Sequence, residues 1–196
     1  MMQKKRFTLD VNAPVILGMA FLSLVALMAD QMAGVDMVRL FGAYRTHASD
    51  AMQYPRLFTH VLIHAGLSHY TNNFMMILAI GPMIEEKYGS LRLFVMIVIT
   101  AFITGLINVL LFSGTAVVGA SGVLFMMILL ASFTNMRQRK LPLTVLLVAF
   151  LYIGNEIIAG LFTVSNISRL SHILGGVCGA CFGILLNTKG FAKTKN

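Results

Sequence analysis

Residues 91–112 read LRLFVMIVITAFITGLINVLLF, twenty-two positions with Arg92 as the single charge. A helix needs ~20 predominantly apolar residues to cross the hydrocarbon core of a bilayer. This stretch therefore predicts a membrane-spanning helix, and comparable runs recur along the chain at 13–33, 67–84, 116–135, 142–162 and 168–187. The 196 residues are 58% hydrophobic and 11% charged, against roughly 25% charged in soluble domains. The expected class is an all-α membrane protein, a six-helix bundle. Residues 13–187 would form the membrane domain, and 1–12 and 188–196 two short basic tails. The first run is too long for a secretory apolar region and is followed by no small-x-small cleavage signal, so it is expected to remain as an anchor.

Basic residues near span ends are retained on the cytoplasmic side. With the N-terminus inside, the inner segments carry Lys4, Lys5, Arg6, Lys87, Arg92, Arg137, Arg139, Lys140, Lys189, Lys193 and Lys195, and the outer segments carry Arg39, Arg45, Arg56 and Arg169. That asymmetry puts both termini in the cytoplasm. The formal charge of +8 then serves topology and attraction to an anionic lipid bilayer. No interleaved basic and aromatic strip points to nucleic acid. The one long connection, Gly34 to Gly66, mixes aromatic and basic residues and is expected to hold short helices at the outer surface. Cys178 and Cys181 form a C-x-x-C deep in the last run, where thiolate chemistry is suppressed, and read as small packing residues.

Polar residues inside the apolar runs carry the functional signal, because intramembrane polar groups are costly. Ser121 in Gly119-Ala120-Ser121-Gly122 and His172 in Ser171-His172-Ile173-Leu174-Gly175 each fall six residues into a run entering from outside, or ~9 Å down at the helical rise. A serine hydroxyl becomes a nucleophile when a base takes its proton, and His172 matches it in depth. His69 and Asn73, four apart and so on one helical face, offer neutral donors for a developing oxyanion. The Ser121 backbone N–H is a further donor near a helix start. Phe125, one turn after Ser121, is placed to stack on the imidazole. Gly119 and Gly122 thin the serine helix, and Gly175 with Gly179 forms a small-xxx-small pair permitting close helix approach. Each feature alone has a plainer explanation: Gly-Ala-Ser-Gly as packing motif, His172 as interhelical hydrogen bonder. Their convergence at one level favours a catalytic pair. Glu156 in the fifth run either orients His172 or is a satisfied buried carboxylate; a dyad without an acid is expected.

The ordered set His64-x4-His69-x3-Asn73, Gly119-Ala120-Ser121-Gly122 and Ser171-His172-x2-Gly175-x3-Gly179 resembles the rhomboid intramembrane serine proteases in their bacterial six-helix form. The resemblance covers about residues 35–187 and extends to Arg56-Leu57-Phe58-Thr59-His60 and to Glu85 ahead of Lys87-Tyr88-Gly89. It implies Ser121 as nucleophile, His172 as general base, and His69 with Asn73 as oxyanion donors. It also implies cleavage of transmembrane protein substrates near their outer ends, without metal or nucleotide cofactor, in a bacterial inner membrane. Two positions depart from the family pattern: Pro55-Arg56 where Trp-Arg is frequent, and Phe125 where Tyr is frequent. The competing functions are a catalytically inactive rhomboid-like protein that binds membrane clients, and a His-based metal transporter or metalloprotease prompted by His60, His64 and His69. The His60/His64 spacing suits a ligand pair, but no His-Glu-x-x-His and no neighbouring carboxylate completes a zinc set. Bracing of the long connection is the favoured role for both.

Overall fold

The computed structural model describes residues 11–133, 143, 147, 150, 151 and 166–188. Its helices are α1 (Pro14–Ala33), α2 (Met37–Phe41), α3 (Gln53–Thr59), α4 (Leu67–Tyr88), α5 (Ser90–Leu111), α6 (Ser121–Phe133) and α7 (Asn166–Thr188), with a 3₁₀ turn at His60–Leu62 after α3. The protein is an all-α membrane bundle. Three of these helices, α1, α5 and residues 169–186 of α7, are long and apolar enough to cross a membrane. Helix α4 has the length but carries His69, Asn72, Asn73, Glu85, Glu86 and Lys87. The expected fifth run, 142–162, lies outside the described residues except at four positions, which are helical.

Helix α1 starts with Pro14, whose missing N–H costs nothing at that position. The next two N–H groups, of Val15 and Ile16, donate to the two carboxylate oxygens of Glu85 at 3.0 Å each. Glu85, only 2% exposed, thus links the far end of α4 to the start of α1. Gly81 takes part in the same contact, since a Cβ there would come within 2.7 Å of Ile16. Gly89, at φ +84°, turns α4 directly into α5. The centre is filled by Phe74, Ile77, Leu93, Met96, Val123, Met126, Met127 and Leu130.

The 34–66 connection does contain short helices, α2 and α3. Arg56 is their hub: it pairs with Asp50 at 3.0 Å, donates to the Leu40 carbonyl at 3.1 Å and lies over the Tyr44 ring at 4.6 Å. Helix α3 rests on α5 at Gly105, where a Cβ would meet the Leu57 carbonyl oxygen at 2.7 Å. Side chains of this connection reach on to the end of α5, where Arg45 donates from Nε to the Val109 carbonyl at 2.6 Å and also bonds the Leu110 carbonyl.

One element differs from expectation. The run 116–135 does not enter as a helix near residue 115. Phe112–Ala120 is non-helical, and Val117 forms an antiparallel bridge with Ala43 through reciprocal N–H to O bonds of 2.9 and 3.1 Å. Gly114 at φ +81° and Gly119 at φ +112° occupy the backbone region that favours glycine, so the chain bends through two glycines before α6 begins at Ser121.

Candidate active site

Ser121 is the first residue of α6, where the leading backbone N–H groups have no partner within the helix. The approach to it is pinned at successive residues. Asn108 Nδ2 on α5 donates to the carbonyls of Ala43 at 2.9 Å and Thr115 at 3.3 Å. The Gly119 N–H donates to the His60 carbonyl at 3.0 Å, and the Ala120 N–H to His64 Nε2 at 3.3 Å. Since that ring nitrogen accepts, the neutral His64 ring carries its proton on Nδ1. Burial pushes the His64 imidazole down to about 4, helped by His69 nearby. Burial also pushes His60 to about 4 against the opposing effect of the Ala101 carbonyl. His60 Nε2 lies 3.0 Å from that carbonyl. His64 through its ring and His60 through its backbone carbonyl therefore brace the segment leading to Ser121, while the His60 ring ties to α5, and among the described residues no three metal-ligating side chains cluster.

Gly119 has a second constraint. A Cβ at this position would come within 2.6 Å of His69 Cε1, 2.7 Å of His69 Nε2 and 3.7 Å of Asn73 Nδ2. The side chains of His69 and Asn73, from the first two turns of α4, thus converge on the backbone two residues before Ser121. His69 is held by an edge contact with His64, ring centroids 5.0 Å apart and planes at 68°. Asn73 is 5% exposed, and its Nδ2 has no hydrogen-bond partner among the described residues. A buried amide donor left unpaired is costly and marks a place that a ligand's acceptor would complete.

From the other side, α7 lies against α6 in backbone contact. A methyl at Gly175 would overlap the Gly122 carbonyl, and one at Gly179 the Met126 carbonyl. Gly122 follows Ser121 and Gly175 lies one turn beyond His172, so Ser121 and His172 occupy facing turns of the two helices. The His172 ring packs on Phe125, with centroids 4.6 Å apart and planes at 43°. Ser121, His69 and His172 are each half-buried, protected yet open to a ligand.

All ten of the site residues singled out from sequence thus fall in one region where α4, α6 and α7 meet. Ser121 reaches it along an extended segment, not six residues into a helix, so the shared-depth estimate rested on a wrong local structure; His172 is six residues after the start of α7, as expected. Asn108, Arg45 and Thr104, whose hydroxyl lies 3.4 Å from His60 Nε2, were missed. Asn108 and Thr104 are polar residues inside the most apolar run, 2% exposed each, and that was the available signal. Cys178 is buried and Cys181 exposed, both free thiols. Glu156 lies outside the described residues.

The rhomboid domain model matches residues 51–189. The chain is 33% identical to the rhomboid protease GluP of Bacillus subtilis over 147 residues, covering 72% of this chain and 28% of GluP. It is 28% identical to the rhomboid protease GlpG of Serratia proteamaculans over 172 residues, 85% of this chain and 60% of that protein. Over 151 residues it is 29% identical to GlpG of Haemophilus influenzae, 74% of each chain. It spans less than two thirds of the first two relatives. A domain match over most of the chain, on a helical membrane bundle that gathers the serine, histidine and asparagine motifs, makes this protein a member of the rhomboid family.

Proposed function

We propose that this protein is an intramembrane serine endopeptidase that hydrolyses transmembrane protein substrates by a Ser121–His172 dyad. The observation that supports it most is the convergence on one short backbone stretch of a buried amide donor from Asn73, without a partner among the described residues, the His69 edge and the half-buried helix start at Ser121. In this mechanism Ser121 Oγ attacks the scissile carbonyl carbon while His172 takes its proton. The Ser121 N–H, His69 and Asn73 stabilise the oxyanion of the tetrahedral intermediate. His172 then returns the proton to the leaving amine, giving an acyl-enzyme, and afterwards deprotonates the water that releases the second product.

The excess of basic residues at the opposite end supports an outward-facing site, with both tails in the cytoplasm of a bacterial inner membrane. Residues 13–187 would then be the membrane domain, between basic tails 1–12 and 188–196. The test is incubation of purified protein in detergent with a labelled model transmembrane substrate. Wild type is expected to cleave it, and Ser121→Ala and His172→Ala to be inert while remaining folded, with Ser171→Ala active. A Ser121→Ala protein that cleaved at a comparable rate would exclude the mechanism; binding without cleavage by wild type would leave a client-binding role.

A further inference from the structure

A cavity of about 290 Å³ lies between α1 and α5, on the side of the bundle away from the serine. Among the described residues twelve line it, all apolar or glycine. Gly18 and Leu22 form one wall, Phe94 and Ile97 the other, and Phe58 and Leu62 close its upper end. Phe58 is held there by stacking on Phe102, centroids 5.4 Å apart. The lower end is at Pro14 and Val15, beside the Glu85 contact that marks the end of α4 remote from His69. Lys87 and Arg92 lie at that same end, one on each side of the α4–α5 turn.

Three features identify an occupant. Both walls are helices of membrane-crossing length and apolarity, so the opening faces hydrocarbon, where no water is at hand to fill it. An unfilled apolar cavity forfeits dispersion contacts along its whole lining. From Pro14 to Leu22 the groove runs ~12 Å along α1 at the helical rise, close to half of the ~30 Å hydrocarbon core. It is thus one leaflet deep, stopped at mid-membrane by the Phe58 roof, with its other end at Pro14 and Val15. We infer that this groove binds one acyl chain of a phospholipid from the leaflet opposite Ser121, its headgroup beyond the Pro14 end and its methyl end beneath Phe58.

The chain contains no tryptophan, which gives a clean reporter. Phe94→Trp places a single indole on the groove wall, and Leu110→Trp places one on the same helix near its other end. Gly18→Phe is the plug, since a Cβ there meets nothing within 4 Å. Each variant is titrated in detergent with a phospholipid brominated along its acyl chains. Quenching of the Phe94→Trp indole is expected to saturate at one lipid per protein, with Leu110→Trp quenched only at bulk lipid. Adding Gly18→Phe should abolish the stoichiometric phase. Equal quenching at the two positions, or a stoichiometric phase that survives the plug in a protein with wild-type thermal unfolding, would overturn the assignment. Should the plug fail to fold, native mass spectrometry of wild type decides: a single retained phospholipid supports the groove, and protein free of lipid at the same titration point refutes it.

Discussion

The Phe125 ring packs against the His172 imidazole at 4.6 Å between centroids, tilted by 43°, and Phe125 is one helical turn beyond Ser121. Nucleophile helix and base are therefore coupled by an aromatic contact that needs no hydroxyl. If the ring's work is to fix the imidazole, Phe125→Tyr should retain turnover, whereas Phe125→Leu should lower kcat by about 10²-fold, the cost of a small misplacement of a reacting group, with KM little changed. Steady-state kinetics on the model substrate checks both. A fall in KM-dependent binding with unchanged kcat would make Phe125 a substrate contact instead.

Asn73 should behave differently. Its amide donor is buried and has no hydrogen-bond partner among the described residues, so its contribution is expected when charge develops on the substrate. Asn73→Ala is expected to lower kcat by about 10²–10³ without weakening substrate binding or stability. His69→Ala should lower kcat too, but with some loss of stability, because the ring fills the space against Gly119. Wild-type rates in both variants would reduce these residues to bracing of α4.

The polar site was legible because each of its members stands out against an apolar background, and because helical spacing alone puts His69 with Asn73 and Gly175 with Gly179 on shared faces. The entry to α6 was not. Apolar content marks Ala116–Val118 as membrane-embedded but cannot separate an extended strand from a helix over so few residues; the bridge to Ala43 is a tertiary event. Gly114 and Gly119 were the available warning, since two glycines on either side of a short apolar segment are unusual within a helix. The Glu85 contact with α1 was likewise invisible, as it joins residues about seventy positions apart.

Glycine packing between α6 and α7 gives a third test. A methyl at Gly175 would overlap the Gly122 carbonyl, and backbone cannot rotate aside as a side chain does. Gly175→Ala should therefore lower stability by about 1–3 kcal/mol, the range for overpacking, and lower turnover as well by moving His172 away from Ser121. Thermal unfolding in detergent and the cleavage assay measure the two effects. Gly18→Ala, where nothing lies within 4 Å of the new Cβ, is the matched control and should be neutral or slightly stabilising.

Glu85 separates stability from chemistry at the far end of the bundle. Its two carboxylate oxygens each accept one N–H at the start of α1, at 3.0 Å, where the helix dipole favours negative charge. Glu85→Ala leaves one buried and one part-buried donor unpaired and removes a charge-assisted contact, so a loss of about 2–3 kcal/mol is expected. Glu85→Gln, which keeps an acceptor but not the charge, should lose less. Neither change touches Ser121, His172, His69 or Asn73, so turnover per folded molecule, measured well below the unfolding midpoint, should stay near wild type. A Glu85→Gln protein with unaltered thermal unfolding but greatly reduced turnover would mean that the α1–α4 junction communicates with the site, and that Glu85 is more than the anchor of α1.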